Sequence, residues 1–235
     1  MSTIASPPRP GAAPREPAAA ISDFGDQRIV IRGVGRHVYD VLDEAIGDGH
    51  HIRLAYDGKD LELMTTSRLH GFFRELLGQI VTMLVEVLNI DRVTSGESTW
   101  KTEDMGRGLQ ADLSYDFDPE KIRRAREALK WKSMEPEDDP AAPDLAIEID
   151  ASPPKIDRSS VYAELKAEEV WRFDGARVVI EQLQLDGTYA EVPTSRFLPV
   201  SGEDVGRWLL DDDATVESVW RRRLRQWAEG LGPRA

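Results

Sequence analysis

The chain has no cysteine in its 235 residues. Disulfides, thiolate metal sites and cysteine nucleophiles are therefore excluded. Histidine is scarce, with four in all. His50 and His51 have no third ligand at a metal spacing and read as structural. No apolar run is long enough to span a bilayer, and the N-terminus lacks the apolar core of a signal peptide. The cytoplasm is the expected setting, with no membrane partner. The phosphate-cradling patterns G-x-x-x-x-G-K-[ST] and G-x-G-x-x-G are missing, and so is the G-x-S-x-G elbow of α/β-hydrolases. Excess positive charge is also missing. The formal net charge is −13, which counts against a generic duplex-coating protein, whose affinity comes from neutralising phosphates. It does not count against a metal-using enzyme, because site acids and a local basic patch can coexist with an acidic remainder.

What is present is enough for a core: 40% of residues are hydrophobic and six are Trp. Residues 1–22, rich in Pro and Ala and without periodicity, read as a disordered tail. Ordered structure is expected from about residue 23 to 200, with helices over 201–235 packed on the same domain. A short strand at 29–34 precedes a helix at 36–46, where Val38, Val41, Leu42 and Ile46 recur at helical spacing. Alternating runs flank Asp57-Gly58 at 51–64, a hairpin signal. A wide apolar stripe predicts a central helix over 68–88, with Ser67 as its N-cap. Strands are predicted at 92–101 and 110–117, a helix at 119–132 and an acidic loop at 133–142. A strand follows at 143–150, a short helix at 156–165, and strands at 168–173, 177–183 and 188–192. Two helical stretches complete 201–230. This order predicts a mixed α/β domain: a central mixed sheet with helices packed around it.

The acids carry the chemistry. In PDLAIEID (143–150), Leu145, Ile147 and Ile149 face one way on a strand, and Asp144, Glu148 and Asp150 the other. Like charges that close are costly unless a cation lies between them, and Mg²⁺ is the usual hard ion for oxygen donors. Glu62 at the end of its strand and Asp112 in QADLSYDF could join Glu148 and Asp150 if their strands are neighbours. Such a set would hold Mg²⁺ or Mn²⁺ and activate a water toward a phosphodiester. The plain alternative is a solvated acidic face in an acid-rich chain.

The blocks YDGKDLELMTTSRLHG, STWKTEDMGRGLQADLSYDF, PDLAIEIDASPPKIDR and VYAELKAEEVWRFDG together resemble the Uma family of restriction-endonuclease-like proteins, a branch of the PD-(D/E)XK nuclease superfamily. The resemblance covers about residues 27–200. It implies a restriction-endonuclease-like fold, Mg²⁺ (or Mn²⁺) as cofactor and DNA as substrate. It also implies roles: Asp112 for the "PD" half-motif, Glu148 for the (D/E)-x-K acid, Glu62 for the E-x-M block, and His70 beside the site. Asp150 is a further ligand or a neighbour of the ligands. His70 could instead be held by a nearby backbone group or acid.

Two departures from the family pattern matter. Ala111 replaces the usual proline before Asp112, a loss of backbone geometry only. Asp150 stands at the x-K position, so the cation must come from elsewhere. Lys101 is the first choice, with Lys155 and Arg158 next; an arginine stabilises charge but accepts a proton poorly. Lys166 stands where relatives usually have a helix-ending glycine, which points to local strain or a shifted end. Glu169 and Trp171 read as structural. The basic helix 119–132 could border a cleft. The tail Arg221, Arg222, Arg223 and Arg225, with Trp220 and Trp227 at helical spacing, reads as an amphipathic helix. The competing class is a nuclease-fold module that binds without cleaving. No feature encodes oligomeric state, although nucleases that cut both strands are commonly homodimers.

Overall fold

The apolar–acidic alternation of 143–150 becomes a buried strand, and the rest of the chain is built around it. The computed structural model describes residues 25–47, 52–95, 99–101, 106–131, 142–150 and 152–232, the side chains of 129–131 excepted. The tail at 1–22, His50 and His51, the acidic linker to residue 141 and the Trp131 side chain lie outside the described residues.

The elements in chain order are β1 (Gln27–Ile31), α1 (Arg36–Ile46), β2 (Ile52–Tyr56), β3 (Leu61–Thr65), α2 (Arg68–Val87), β4 (Val93–Thr94), β5 (Thr99–Lys101), β6 (Gly108–Gln110) and β7 (Leu113–Asp116). They continue with α3 (Pro119–Trp131), β8 (Leu145–Ile149), α4 (Arg158–Leu165), β9 (Glu169–Phe173), β10 (Val178–Leu183), β11 (Tyr189–Glu191), α5 (Gly202–Leu209) and α6 (Glu217–Gly230), with a 3₁₀ turn at Asp212–Thr215 between the last two.

Local chemistry sets several of these boundaries. The β2–β3 turn closes because Asp57 Oδ1 accepts from the amides of Lys59 and Asp60, while Gly58 takes a φ of 94°. Ser67 caps α2 by accepting from the His70 amide at 3.1 Å. Asp118 accepts from the Glu120 and Lys121 amides ahead of α3. Lys166 ends α4 in the left-handed region, at φ 61° and ψ 34°.

The strands form two sheets. One has the order β11-β10-β9-β8-β7-β4 and is mixed: β8 and β9 run parallel, joined through α4, and its other pairs are antiparallel. This is the central mixed sheet expected from the element order. The other, β1-β3-β2-β6-β5, is wholly antiparallel and was not foreseen. It arises because both predicted long strands are divided. The stretch 92–101 becomes β4 in one sheet and β5 in the other, and 110–117 becomes β6 and β7. A period-2 pattern reports alternation along a strand but not which partner it pairs with.

Apolar packing follows the faces. Leu76, Leu77, Ile80 and Leu84 of α2 cover Leu145, Ile147, Ile149, Trp171 and Phe173, and Trp208, Trp220 and Leu224 extend that core. Each such side chain fully buried contributes roughly 1.5–3 kcal/mol. The C-terminal helices therefore belong to the same core. Their arginines pair at the surface, Arg223 with Asp211 and Asp213 and Arg225 with Glu86, which is the amphipathic reading of that tail. A second core lies between the sheets, where Val161, Tyr162 and Leu165 of α4 meet Ala55, Leu109, Ala111, Ala146 and Val170.

Candidate active site

The seam between the sheets collects the acids. The β7–β8 ladder pairs Leu113 with Ile147, so one step further on Asp112 faces Glu148. Side chains directly opposite in a ladder have Cβ atoms about 5 Å apart. Asp112 sits where the chain crosses from β6 of the antiparallel sheet into β7 of the mixed one. Both acids are fully buried, and Glu148 raises its pKa in part because of the Asp112 charge.

Each acid has cationic neighbours. Asp112 Oδ1 lies 3.0 Å from the Arg53 guanidinium and 2.7 Å from His70 Nε2, while its Oδ2 accepts from the Ile149 amide at 2.7 Å. Burial works against this carboxylate, but Arg53, His70 and that amide outweigh it and hold it well below the usual carboxylate range. Glu148 Oε1 accepts from the Tyr162 hydroxyl and lies 2.8 Å from Arg158. Burial pushes the Glu148 carboxyl up, against the pull of Arg158. Glu148 Oε2 is buried with no hydrogen-bond partner among the described residues.

Asp150 is ringed by Arg28 at 3.4 Å, Arg158 at 3.6 Å and Arg172 at 3.2 Å. Glu62, on β3 of the antiparallel sheet, bonds Arg28 at 2.5 Å through Oε1 and accepts the Lys155 amide at 2.5 Å through Oε2. Arg28 therefore ties the two sheets together through Glu62 and Asp150. Among the described residues no group of three or more acids and histidines is arranged to hold a metal.

His70 is the imidazole between two aspartates. Its Nδ1 is 3.1 Å from Asp26 and its Nε2 is 2.7 Å from Asp112. Burial disfavours the imidazolium, yet the two carboxylates win and lift its pKa to about 9. At neutral pH it is a cation. Both ring nitrogens are engaged by carboxylates, the arrangement expected of an imidazole held by nearby acids.

Lys101 lies elsewhere. It pairs with Asp43 of α1 at 2.7 Å, sits over the Tyr39 ring, and stands opposite Gly108 in the β5–β6 ladder, at the end of β6 remote from Asp112. Its ammonium is thus committed to Asp43. The cation beside Glu148 and Asp150 is Arg158. Burial disfavours its charge, but Glu148 and Asp150 raise its affinity for the proton further, so it remains charged. Lys155 contributes its backbone amide.

Sequence reading missed Arg28, Arg53, Arg172, Tyr162 and Asp26. Tyr162 left a signal, four residues beyond Arg158 on one helix face, whereas Arg172 meets Glu148 only through the β8–β9 register. Arg28, Arg53 and Asp26 reach the site from other elements and left none. Glu169 is structural, as read: its carboxylate takes Trp171 Nε1, Gln182 Nε2, Ser195 Oγ and the Arg196 amide. Asp144 is also diverted from the site. It joins Asp116 on Lys121 at the opposite end of the β7–β8 pair and caps the approach to α3.

The pattern of one family, described as "Putative restriction endonuclease" and named Uma2, matches residues 39–210, a span that includes Glu62, His70, Asp112, Glu148 and Asp150. The chain belongs to the Uma2 family. A solved structure from Anabaena variabilis, titled as a putative nuclease belonging to DUF820, matches at 15% identity and a TM-score of 0.49, over 75% of this chain and 99% of that one. No curated protein matches the chain. Among the described residues of this Uma2 chain, no helix is long and apolar enough to cross a membrane.

The donors of the site suit a hard divalent ion in part. Mg²⁺ is commonly held by one or two carboxylates, with waters and substrate phosphates completing its shell. Asp112 and Glu148 are two carboxylates side by side, and Glu148 Oε2 is a buried acceptor with no partner among the described residues. Glu62 and Asp150 are engaged by arginines and the Lys155 amide, so they fit the role of orienting acids better than that of ligands.

Proposed function

We propose that this Uma2 protein is a metal-dependent endonuclease that hydrolyses phosphodiester bonds of DNA. The observation that carries the reading is the convergence of Asp112 and Glu148, 36 residues apart in sequence, buried one step beyond the end of the β7–β8 ladder, with Glu148 Oε2 unpartnered among the described residues. Asp112 and Glu148 would hold Mg²⁺ or Mn²⁺. Such an ion, when bound, polarises a phosphodiester oxygen and lowers the pKa of the attacking water.

The chain's own residues do the rest. Arg53, His70 and the Ile149 amide keep Asp112 ionised and fix its orientation. Arg158 places a permanent cation beside Glu148 and Asp150, where negative charge grows on the phosphoryl oxygens in the transition state. Being always charged, it accepts no proton. Next to the pair, a cleft of about 500 Å³ is lined by Asp150, Arg158, Ser159 and Arg172, and we assign it to the scissile strand. The proposal takes the cytoplasm as the setting and a homodimer as the assembly that cuts both strands.

Nicking of supercoiled plasmid with Mg²⁺ or Mn²⁺ tests it. Wild type should nick, and Asp112→Asn and Glu148→Gln should lose at least 100-fold. Equal rates in all three would end the site assignment. One observation favours a second reading, a nuclease-fold module that binds without cleaving: every acid of the cluster already has a guanidinium beside it. A folded wild type that never nicks supports that reading.

A further inference from the structure

Arg158 and Tyr162 lie one turn apart on α4, and both reach the same atom, Glu148 Oε1. Arg158 is committed further, donating to the Gln110 carbonyl at 3.1 Å and approaching Asp150. Tyr162 is fully buried. Its ring packs within the α4 core, with the Arg172 guanidinium 5.9 Å from its centroid. The ring therefore has little freedom, and its hydroxyl is aimed by the helix.

Two donors from one rigid helix on a single carboxylate oxygen fix which oxygen is which. Asp112 is partly engaged: Oδ1 takes Arg53 and His70, while Oδ2 takes the Ile149 amide and keeps one lone pair for an ion. Among the described residues, Glu148 Oε2 is thus the one oxygen of the pair left without a donor. An unpaired buried carboxylate oxygen is expensive unless something fills its lone pairs. A cation is the partner such an oxygen lacks.

We infer that Tyr162 is a positioning residue, whose hydroxyl holds Glu148 Oε1 and so presents Oε2 as the atom that meets the divalent ion. The inference rests on the metal-dependent reading above. Groups that orient a ligand commonly change metal affinity 10- to 100-fold when removed.

The test is calorimetric titration of the full chain with Mn²⁺ alone, without nucleic acid. Glu148→Gln sets the baseline of no binding. Tyr162→Phe keeps the ring and removes only the hydroxyl, and its Kd for Mn²⁺ should rise 10- to 100-fold. Val161→Ala loosens the same helix while keeping the hydroxyl, and should bind Mn²⁺ within twofold of wild type. Tyr162→Phe matching wild type would overturn the inference and leave the metal-dependent reading intact. Val161→Ala weakening Mn²⁺ as much as Tyr162→Phe would also overturn it, since helix packing would then be the cause. Wild type that takes up no Mn²⁺ would remove the metal-dependent reading, and this inference with it.

Discussion

His70 Nε2 lies 2.7 Å from Asp112 Oδ1, and the pair is closed on its far side by Asp26. The imidazole is a charged strut holding the acid in place.

That strut makes stability depend on alkaline pH. The folded pKa of His70 is raised from 6.5 to about 9. Its contribution is fully present below the unfolded value and is lost as pH rises through about 9. Melting curves between pH 6 and 10 should show a decline across this window, worth roughly 3 kcal/mol. His70→Gln should flatten it. A wild-type profile with no decline there would contradict the charged assignment.

The site cation is predicted to be Arg158 and not Lys101. Lys101→Met removes a partly exposed pair with Asp43 and should leave nicking unchanged and stability within about 1 kcal/mol. Arg158→Gln should abolish nicking and cost roughly 3–5 kcal/mol, because buried Glu148 loses its counter-charge. Arg158→Lys keeps the charge and should retain measurable nicking. Initial nicking rates, normalised to the folded fraction from urea unfolding, check all three.

Arg28 should be a fastener between the sheets. It is the side chain that links Glu62 to Asp150. Arg28→Gln leaves both buried acids short of a donor, and urea unfolding should show a loss of about 2–4 kcal/mol. A surface-like change of under 0.5 kcal/mol would show that the link carries no load.

Lys166 occupies a left-handed position that ends α4. A non-glycine residue there is strained by roughly 1 kcal/mol. Lys166→Gly should raise stability by about 0.5–1 kcal/mol in thermal melts, with nicking unaffected, because the residue touches none of the site acids.

Glu169→Gln should separate structure from chemistry. The carboxylate accepts from four donors around the Ser195 turn, and an amide would set its own donor against one of them. A loss of roughly 2–4 kcal/mol in urea unfolding is expected, with nicking per folded molecule unchanged.

Some of this was written in local pattern. The alternation of Leu145, Ile147 and Ile149 against Glu148 and Asp150 fixed which face of β8 carries acid, because strand periodicity is local. The α2 stripe, the Asp57-Gly58 hairpin, the Ser67 cap and the inward packing of Trp220 were legible for the same reason. Spacing also offered Glu62, Asp112 and Glu148 as acids to watch, and family resemblance gave them roles.

The partners of those acids were not legible. Arg28, Arg53 and Arg172 come from strands that look ordinary in isolation, and His70 became a cation only because Asp26 and Asp112 flank it in space. Division of 110–117 between two sheets, which sets Asp112 on the seam, depends on competition among strand edges that no local period encodes. The sequence by itself determined which residues are acidic and which way each strand turns them. Only the tertiary structure decided which cation answers each acid, because counter-charges are matched by distance across the fold, and that distance is unrelated to separation along the chain.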